Sequence, residues 1–185
     1  MKRRAWLLSA TGAAGALLVG WSLLPARSRL GSAAQPWPAS VPELDGAVYV
    51  FDYEARLGSL TAKQSISALP AGFSGRPAAA DLHITPAGKF LYSSARTSST
   101  VSSFTINPSS GALTRIETVP TETVPRGFNI DSSGRYLLVA GQSSHRLSVY
   151  RIDPRRGSLT RLKDYPVGRS PNWIEIIDVP FAPAP

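Results

Sequence analysis

Two hydrophobic patterns divide the chain. From Ala5 to Leu24, twenty residues run without a charge, rich in Ala, Gly and Leu and without a polar face. From about Gly46 the period falls to two. "AVYVFDY", "KFLYSS", "TVSSFTIN", "RYLLVAG" and "RLSVYRID" are short, β-branched or aromatic, and bounded by Gly, Pro, Asn, Asp and Ser. Such runs predict strands, and their punctuation predicts tight turns. This second region also repeats itself. With an offset of 46, residues 81–115 overlay residues 127–161, so that Ile84 meets Ile130, Gly88 meets Gly134, Leu91 meets Leu137 and Phe104 meets Tyr150. The tails "GALTR" and "GSLTR" nearly coincide, and Pro171 opens a third copy as Pro125 opens the second. Upstream, residues 48–61 match 101–114 at an offset of 53, with the extra residues inserted between Leu69 and Gly75.

A unit of about 46 residues holding four short strands predicts a β-propeller blade. A seven-strand sandwich offers no reason for that period. Within a unit the inner strand is expected at Leu82–Thr85 or Phe128–Asp131. Strands follow at Phe90–Ser94 and Val101–Ile106, and an outer strand begins at Leu113 or Leu159. The expected fold is therefore all-β: a partial β-propeller of about three four-stranded blades over 46–179, behind an N-terminal hydrophobic helix. Residues 1–34 read as a signal or anchor, 35–45 as a linker and 180–185 as a disordered tail. Closed propellers hold about four to eight blades. A three-blade arc predicts a fragment, or self-association through open blade faces.

Charge sharpens the division. Of twenty basic residues, Lys2, Arg3, Arg4, Arg27 and Arg29 precede residue 35, where no acid occurs. The remaining fifteen basic residues face twelve acids, a mildly basic surface without a phosphate-tracking stripe, so no nucleic-acid partner is expected. The basic tip, apolar run and small residues at Gly31–Ala34 have the order of a secretory signal, cleaved after Ala33 or Ala34 or retained as an anchor through residues 5–24. Arg3-Arg4 before Ala5-Trp6-Leu7 resembles a twin-arginine signal, with Trp where Phe is usual and no polar residue after Leu8. "GAAGALLVGWSLLPARSRL" resembles the leader of the molybdenum-binding subunit of aldehyde or isoquinoline oxidoreductases. No cysteine is present, and His83 and His145 are the two histidines, so thiolate chemistry and a histidine-rich metal site are excluded.

"AADLHITPAGKFLYSSARTSSTVSSFTI", "PTETVPRGFNIDSSGRYLLVAGQSSHRLSVYRID" and "YPVGRSPNWIEII" resemble the last three blades of propeller-type 6-phosphogluconolactonases, in the lactonase family of seven-bladed propellers. The resemblance covers roughly 46–178 and is close over 120–150. It implies hydrolysis of 6-phospho-D-glucono-1,5-lactone to 6-phosphogluconate, a sugar-lactone substrate, and no metal or organic cofactor. It also implies a cytoplasmic enzyme, whereas a genuine leader implies the periplasm or an inner-membrane anchor. The competing readings are a hydrolase of a non-phosphorylated sugar lactone and a non-catalytic exported module for binding or assembly.

Opening a lactone requires a base, donors for the developing oxyanion and, here, a cation for the phosphate. His83 and Arg126 are the catalytic candidates, and Asp81, Arg96, Asn129 and Gln142 the candidate substrate contacts. Positions 83, 129 and 175 coincide under the repeat as His, Asn and Glu, so that polar slot also fits a structural hydrogen bond. Asp81 aligns with Gly127 and Trp173, and Arg126 with Ala80 and Asn172; neither is demanded by the repeat. Asp-x-His on a strand projects both side chains to one face, where the carboxylate can orient the imidazole. Arginine suits phosphate through its planar fork. A surface ion pair between Arg126 and Glu122 is the plainer alternative. His145 reads as a solvated loop residue and Trp173 as packing.

Overall fold

The computed structural model describes residues 38–178, and all regular structure within them is strand. Eleven antiparallel strands make three meandering sheets. β1 (Ala39–Ser40), β2 (Ala47–Glu54) and β3 (Ser59–Ser67) form the first. β4 (Ala79–Ile84), β5 (Phe90–Ala95), β6 (Thr100–Ile106) and β7 (Leu113–Pro120) form the second. The third holds β8 (Pro125–Ile130), β9 (Tyr136–Gly141), β10 (Arg146–Ile152) and β11 (Leu159–Pro166). This is the expected partial propeller. The hydrophobic helix, the signal and the 180–185 tail lie outside the described residues.

Two details differ from expectation. Residues 38–45, read from sequence as linker, contain β1, and Ala39 and Val41 are buried in the core. A two-residue strand is too short to leave a periodic signal. The first sheet also shows three strands among the described residues. Ser40 pairs with Tyr49 as Ser93 pairs with Ser102, which makes β1 the counterpart of β5, the second strand of a blade.

The repeat is visible in the turns. Gly88 and Gly134 both take φ of 68°, a left-handed conformation that glycine adopts without penalty. In front of them, Thr85 Oγ1 receives the Phe90 N–H at 3.2 Å, and Asp131 Oδ1 receives those of Arg135 and Tyr136 at 2.9 and 2.7 Å. The next turns are Asx turns: Asn107 Oδ1 accepts from Ser109 and Ser110, and Asp153 Oδ1 from Arg155 and Arg156.

Period-two alternation then builds the core between sheets. Leu91, Phe104 and Leu113 pack with Val48 and Val50 of the first sheet. Phe90, Tyr92 and Val101 pack with Phe128, Leu137, Val139 and Tyr150 of the third. The middle sheet is thus covered on both faces, and all of β5 is buried.

Side chains that hold the neighbour's main chain lock the joints. Gln64 on β3 both donates to the Leu113 carbonyl (2.8 Å) and accepts from its N–H (2.7 Å). Glu117, its counterpart on β7, accepts the Leu159 N–H at 2.7 Å. Ser102 donates to the Ala68 carbonyl at 2.7 Å, Arg115 to those of Leu69 and Ser67, and Tyr92 Oη to that of Gly157 at 2.9 Å. Residues 171–178 form no strand but lie along β8, where Asn129 Nδ2 donates to the Ile174 carbonyl at 3.2 Å.

Candidate functional site

The candidate residues gather where the inner strands β4 and β8 adjoin. Alternation along β4 sends Leu82 and Ile84 toward the first sheet. Asp81 and His83 consequently face β8, one side of the strand for both, as the spacing predicts. His83 Nε2 lies 3.3 Å from Asp81 Oδ2, and its ring meets Phe128 edge-on with centroids 4.9 Å apart. The same Oδ2 accepts the Phe128 N–H at 3.1 Å, while Oδ1 accepts the Leu82 N–H at 2.8 Å. Asp81 therefore joins the imidazole of one blade to the backbone of the next. Its departure from the repeat has a structural consequence as well as a candidate chemical one.

Arg126 is the second residue of β8 and sits at a bulge, where pairing to β9 skips from Pro125 to Gly127. It is exposed, and its guanidinium has no hydrogen bond or ion pair among the described residues. The alternative pairing with Glu122 does not form: Glu122 binds Arg161 at 2.5 Å instead. The Val124–Pro125 turn lies between the two, with Glu122 buried on one side of it and Arg126 exposed on the other. Arg126 stands two residues before Phe128, whose N–H is held by Asp81. That bond ties Asp81 and His83 to the strand that carries Arg126.

The other candidates distribute differently. Gln142 is half-buried and donates its N–H to the Val124 carbonyl at 3.0 Å, beside the entry to β8. Arg96 occupies the equivalent place one joint earlier, its N–H on the Ala78 carbonyl at 2.7 Å, and its guanidinium is ion-paired with Glu43. Asn129 faces away from β4: its amide holds Ile174 and its Oδ1 accepts the Ile130 N–H. His145, read as solvated, is exposed yet accepts the Ser170 N–H on Nδ1 at 3.1 Å. Trp173 is 57% exposed and packs into no core cluster among the described residues. No group of three or more potential metal ligands occurs among the described residues.

Sequence reasoning missed the part played by Glu122. Its side chain, 5% exposed, accepts hydrogen bonds from Ser148 and the Arg161 guanidinium. Burial alone would raise its pKa. Hydrogen bonds from Ser148 and Ser144 and the Arg161 charge outweigh that, against the opposing charge of Asp164, and hold the carboxyl below its usual value. The available signal was the repeat, which places Arg76 and Gly168 at the equivalent positions.

Three sheets of repeated antiparallel strands, the second and third joined at their inner strands by Asp81, are the architecture of a partial β-propeller. The profile described as "Lactonase, 7-bladed beta-propeller" matches residues 40–176, and the chain belongs to this family. A 6-phosphogluconolactonase from Pectobacterium carotovorum is 47% identical over 137 residues, covering 74% of this chain and 41% of the relative. One from Serratia proteamaculans is 46% identical over the same length and coverage. Among solved structures, a periplasmic gluconolactonase from Pseudomonas aeruginosa superposes with a TM-score of 0.73 at 34% identity, covering 78% of this chain and 40% of that one. The chain spans about two fifths of the length of the curated relatives it matches.

Proposed function

We propose that this chain takes part in hydrolysis of 6-phospho-D-glucono-1,5-lactone to 6-phosphogluconate. One observation carries the reading. The Asp81 carboxylate links His83 to the strand that bears Arg126, a cation without a protein partner among the described residues. The names and identity of the curated relatives support it.

In this reading His83, oriented by Asp81, takes a proton from water as its oxygen attacks the lactone carbonyl. The ring C–O bond breaks as the tetrahedral oxyanion collapses, and the proton passes to the leaving ring oxygen. Arg126 offers its unpaired N–H groups to the phosphate or the developing negative charge. Gln142 borders the same strand entry as a substrate contact. Arg96 and Asn129 are occupied by Glu43 and Ile174, so their substrate contacts require those bonds to be exchanged. Asp81 acts through the imidazole.

A second reading has its own support: a non-phosphorylated sugar lactone handled in the periplasm. The P. aeruginosa neighbour is named a periplasmic gluconolactonase, and the leader-like residues 1–34 agree with export. A cytoplasmic location accompanies the first reading. Assays of the purified chain on phosphorylated and plain gluconolactone, beside Arg126→Ala and His83→Ala, separate the two. Phosphate recognition by Arg126 predicts a fall of about 10²-fold or more on the phosphorylated lactone and a smaller one on the plain lactone. Equal rates for all three proteins, at the spontaneous background, remove the enzymatic reading. Self-association through open blade faces belongs to the same proposal. Leu57 and Leu60 of the first sheet, and Tyr165, Trp173 and Ile177 at the other end, are exposed apolar side chains that a second copy would cover.

A further inference from the structure

The connection that delivers Arg126 to β8 is held on several sides. It runs Thr121–Glu122–Thr123–Val124. Val124 has φ of 57°, an outlier for a β-branched residue, and it precedes Pro125, which disfavours departures from extended backbone. Surrounding contacts impose this conformation. The Val124 N–H reaches Ser99 Oγ at 3.4 Å and its carbonyl accepts from Gln142 at 3.0 Å. Thr121 donates its N–H to the Ser99 carbonyl at 2.9 Å, and Thr121 Oγ1 accepts from Tyr150 at 2.9 Å.

Part of this clamp is generic. In the next joint Val167 donates to the His145 carbonyl, Ser170 to His145 Nδ1, and Ser170 has φ of 56° before Pro171. The repeated Ser–Arg pair is generic too. Ser102 and Arg115 grip the main-chain carbonyls of 67–69, and their equivalents Ser148 and Arg161 sit in the same places one blade on. What is particular is the object gripped, which in the second case is the Glu122 carboxylate. Room for it comes from Gly141, where a Cβ would collide with Ser144 Oγ and Glu122 Cβ. At the equivalent of Glu122 in the following joint stands Gly168, which has no carboxylate to grip. The joint bearing an unpaired arginine has a buried carboxylate latch, and the joint bearing Asn172 has none.

We infer that Glu122 is a positioning residue: its carboxylate, latched by Ser148 and Arg161, fixes the strained Val124–Pro125 entry and so sets where Arg126 presents its guanidinium. The inference rests on the role proposed for Arg126. Misplacing a charged contact by about 1 Å can cost on the order of 10²-fold in rate.

The test is a double-mutant cycle on the full chain, joined to amide exchange. Glu122→Ala is expected to lower kcat/KM on the phosphorylated lactone about tenfold or more, Glu122→Gln less, and Glu122→Ala to add nothing in an Arg126→Ala background. Amides of 121–127 should exchange about tenfold faster while β9 stays unchanged. Arg161→Gln, cut from a half-exposed side chain, should reproduce both effects if Glu122→Ala folds poorly. An equal loss with and without Arg126 shows a merely structural Glu122 and overturns the inference. So does unchanged exchange in 121–127, whatever the activity. Accelerated exchange with no effect of Arg126→Ala on hydrolysis instead removes the catalytic role of Arg126 and leaves the latch standing.

Discussion

Asp81 serves two neighbours with one carboxylate, and this sets what its loss would do. Removing it strands the Phe128 N–H, buried with the rest of that residue, at a cost of about 1–3 kcal/mol. Asp81→Ala should therefore lower the denaturation midpoint, and Asp81→Asn, which retains an acceptor, should recover most of it; equal midpoints for wild type and Asp81→Ala would contradict the joint. Glu122 carries a pH signature. Its folded pKa is depressed, so the stability it adds is full above the unfolded value of about 4.3 and is lost as pH falls through the lower folded value. Of the groups facing it, Arg161 is its ion-pair partner, and Asp164 is itself held below its usual value by the Arg146 hydrogen bond. A thermal melting series should show wild type more stable than Glu122→Gln at neutral pH and the gap closing below about pH 4. The Asp81–His83 pair was legible from its spacing on a strand, but the other partners of Asp81 and Glu122 were not. Asp81 holds a main-chain group 47 residues away, and the nearest cation to Glu122 in sequence, Arg126, is not the one it binds.

At the scale of the strand, sequence and structure agree closely. β5, β6, β7 and β9 to β11 fall where the sequence places them, because their apolar runs are bounded by turn residues on both sides. The inner strands begin earlier than expected, at Ala79 and Pro125, because their first residues pair across bulges and break the alternation there. The turns between strands are equally specified. Gly157 closes the β10–β11 turn at φ of 72°, and its carbonyl receives Tyr92 from the neighbouring sheet. A Cβ there would lie 2.7 Å from Phe90 Cε1 and 2.8 Å from Ile116 Cδ1. Gly157→Ala should cost about 1–3 kcal/mol through overpacking, with left-handed strain in addition, read as a lower urea midpoint at unchanged slope. A midpoint unchanged from wild type would mean the joint is looser than drawn.

At the scale of the whole molecule, the described residues make three sheets with two cores, and among them the middle sheet is the one covered on both faces. Self-association should show as a mass that rises with concentration in sedimentation velocity; one monomeric mass over a wide dilution range would remove that part of the proposal. The repeat made this architecture readable, since equivalent positions report one another. It left the joints unreadable, and the reason is chemical. Gln64, Glu117, Ser102, Arg115, Tyr92, Asp81 and Asn129 each grasp a peptide group of a neighbouring sheet or, for Asn129, of the segment beyond β11. A peptide group is nearly the same whatever residue carries it. Substitutions at Leu113, Leu159 or Ile174 therefore leave the grasping residue under no pressure to change with them. Correlated evolution between paired positions, which reveals side-chain contacts in many folds, should be silent between these gripping residues and the positions they hold, while remaining strong among the core side chains that meet between sheets.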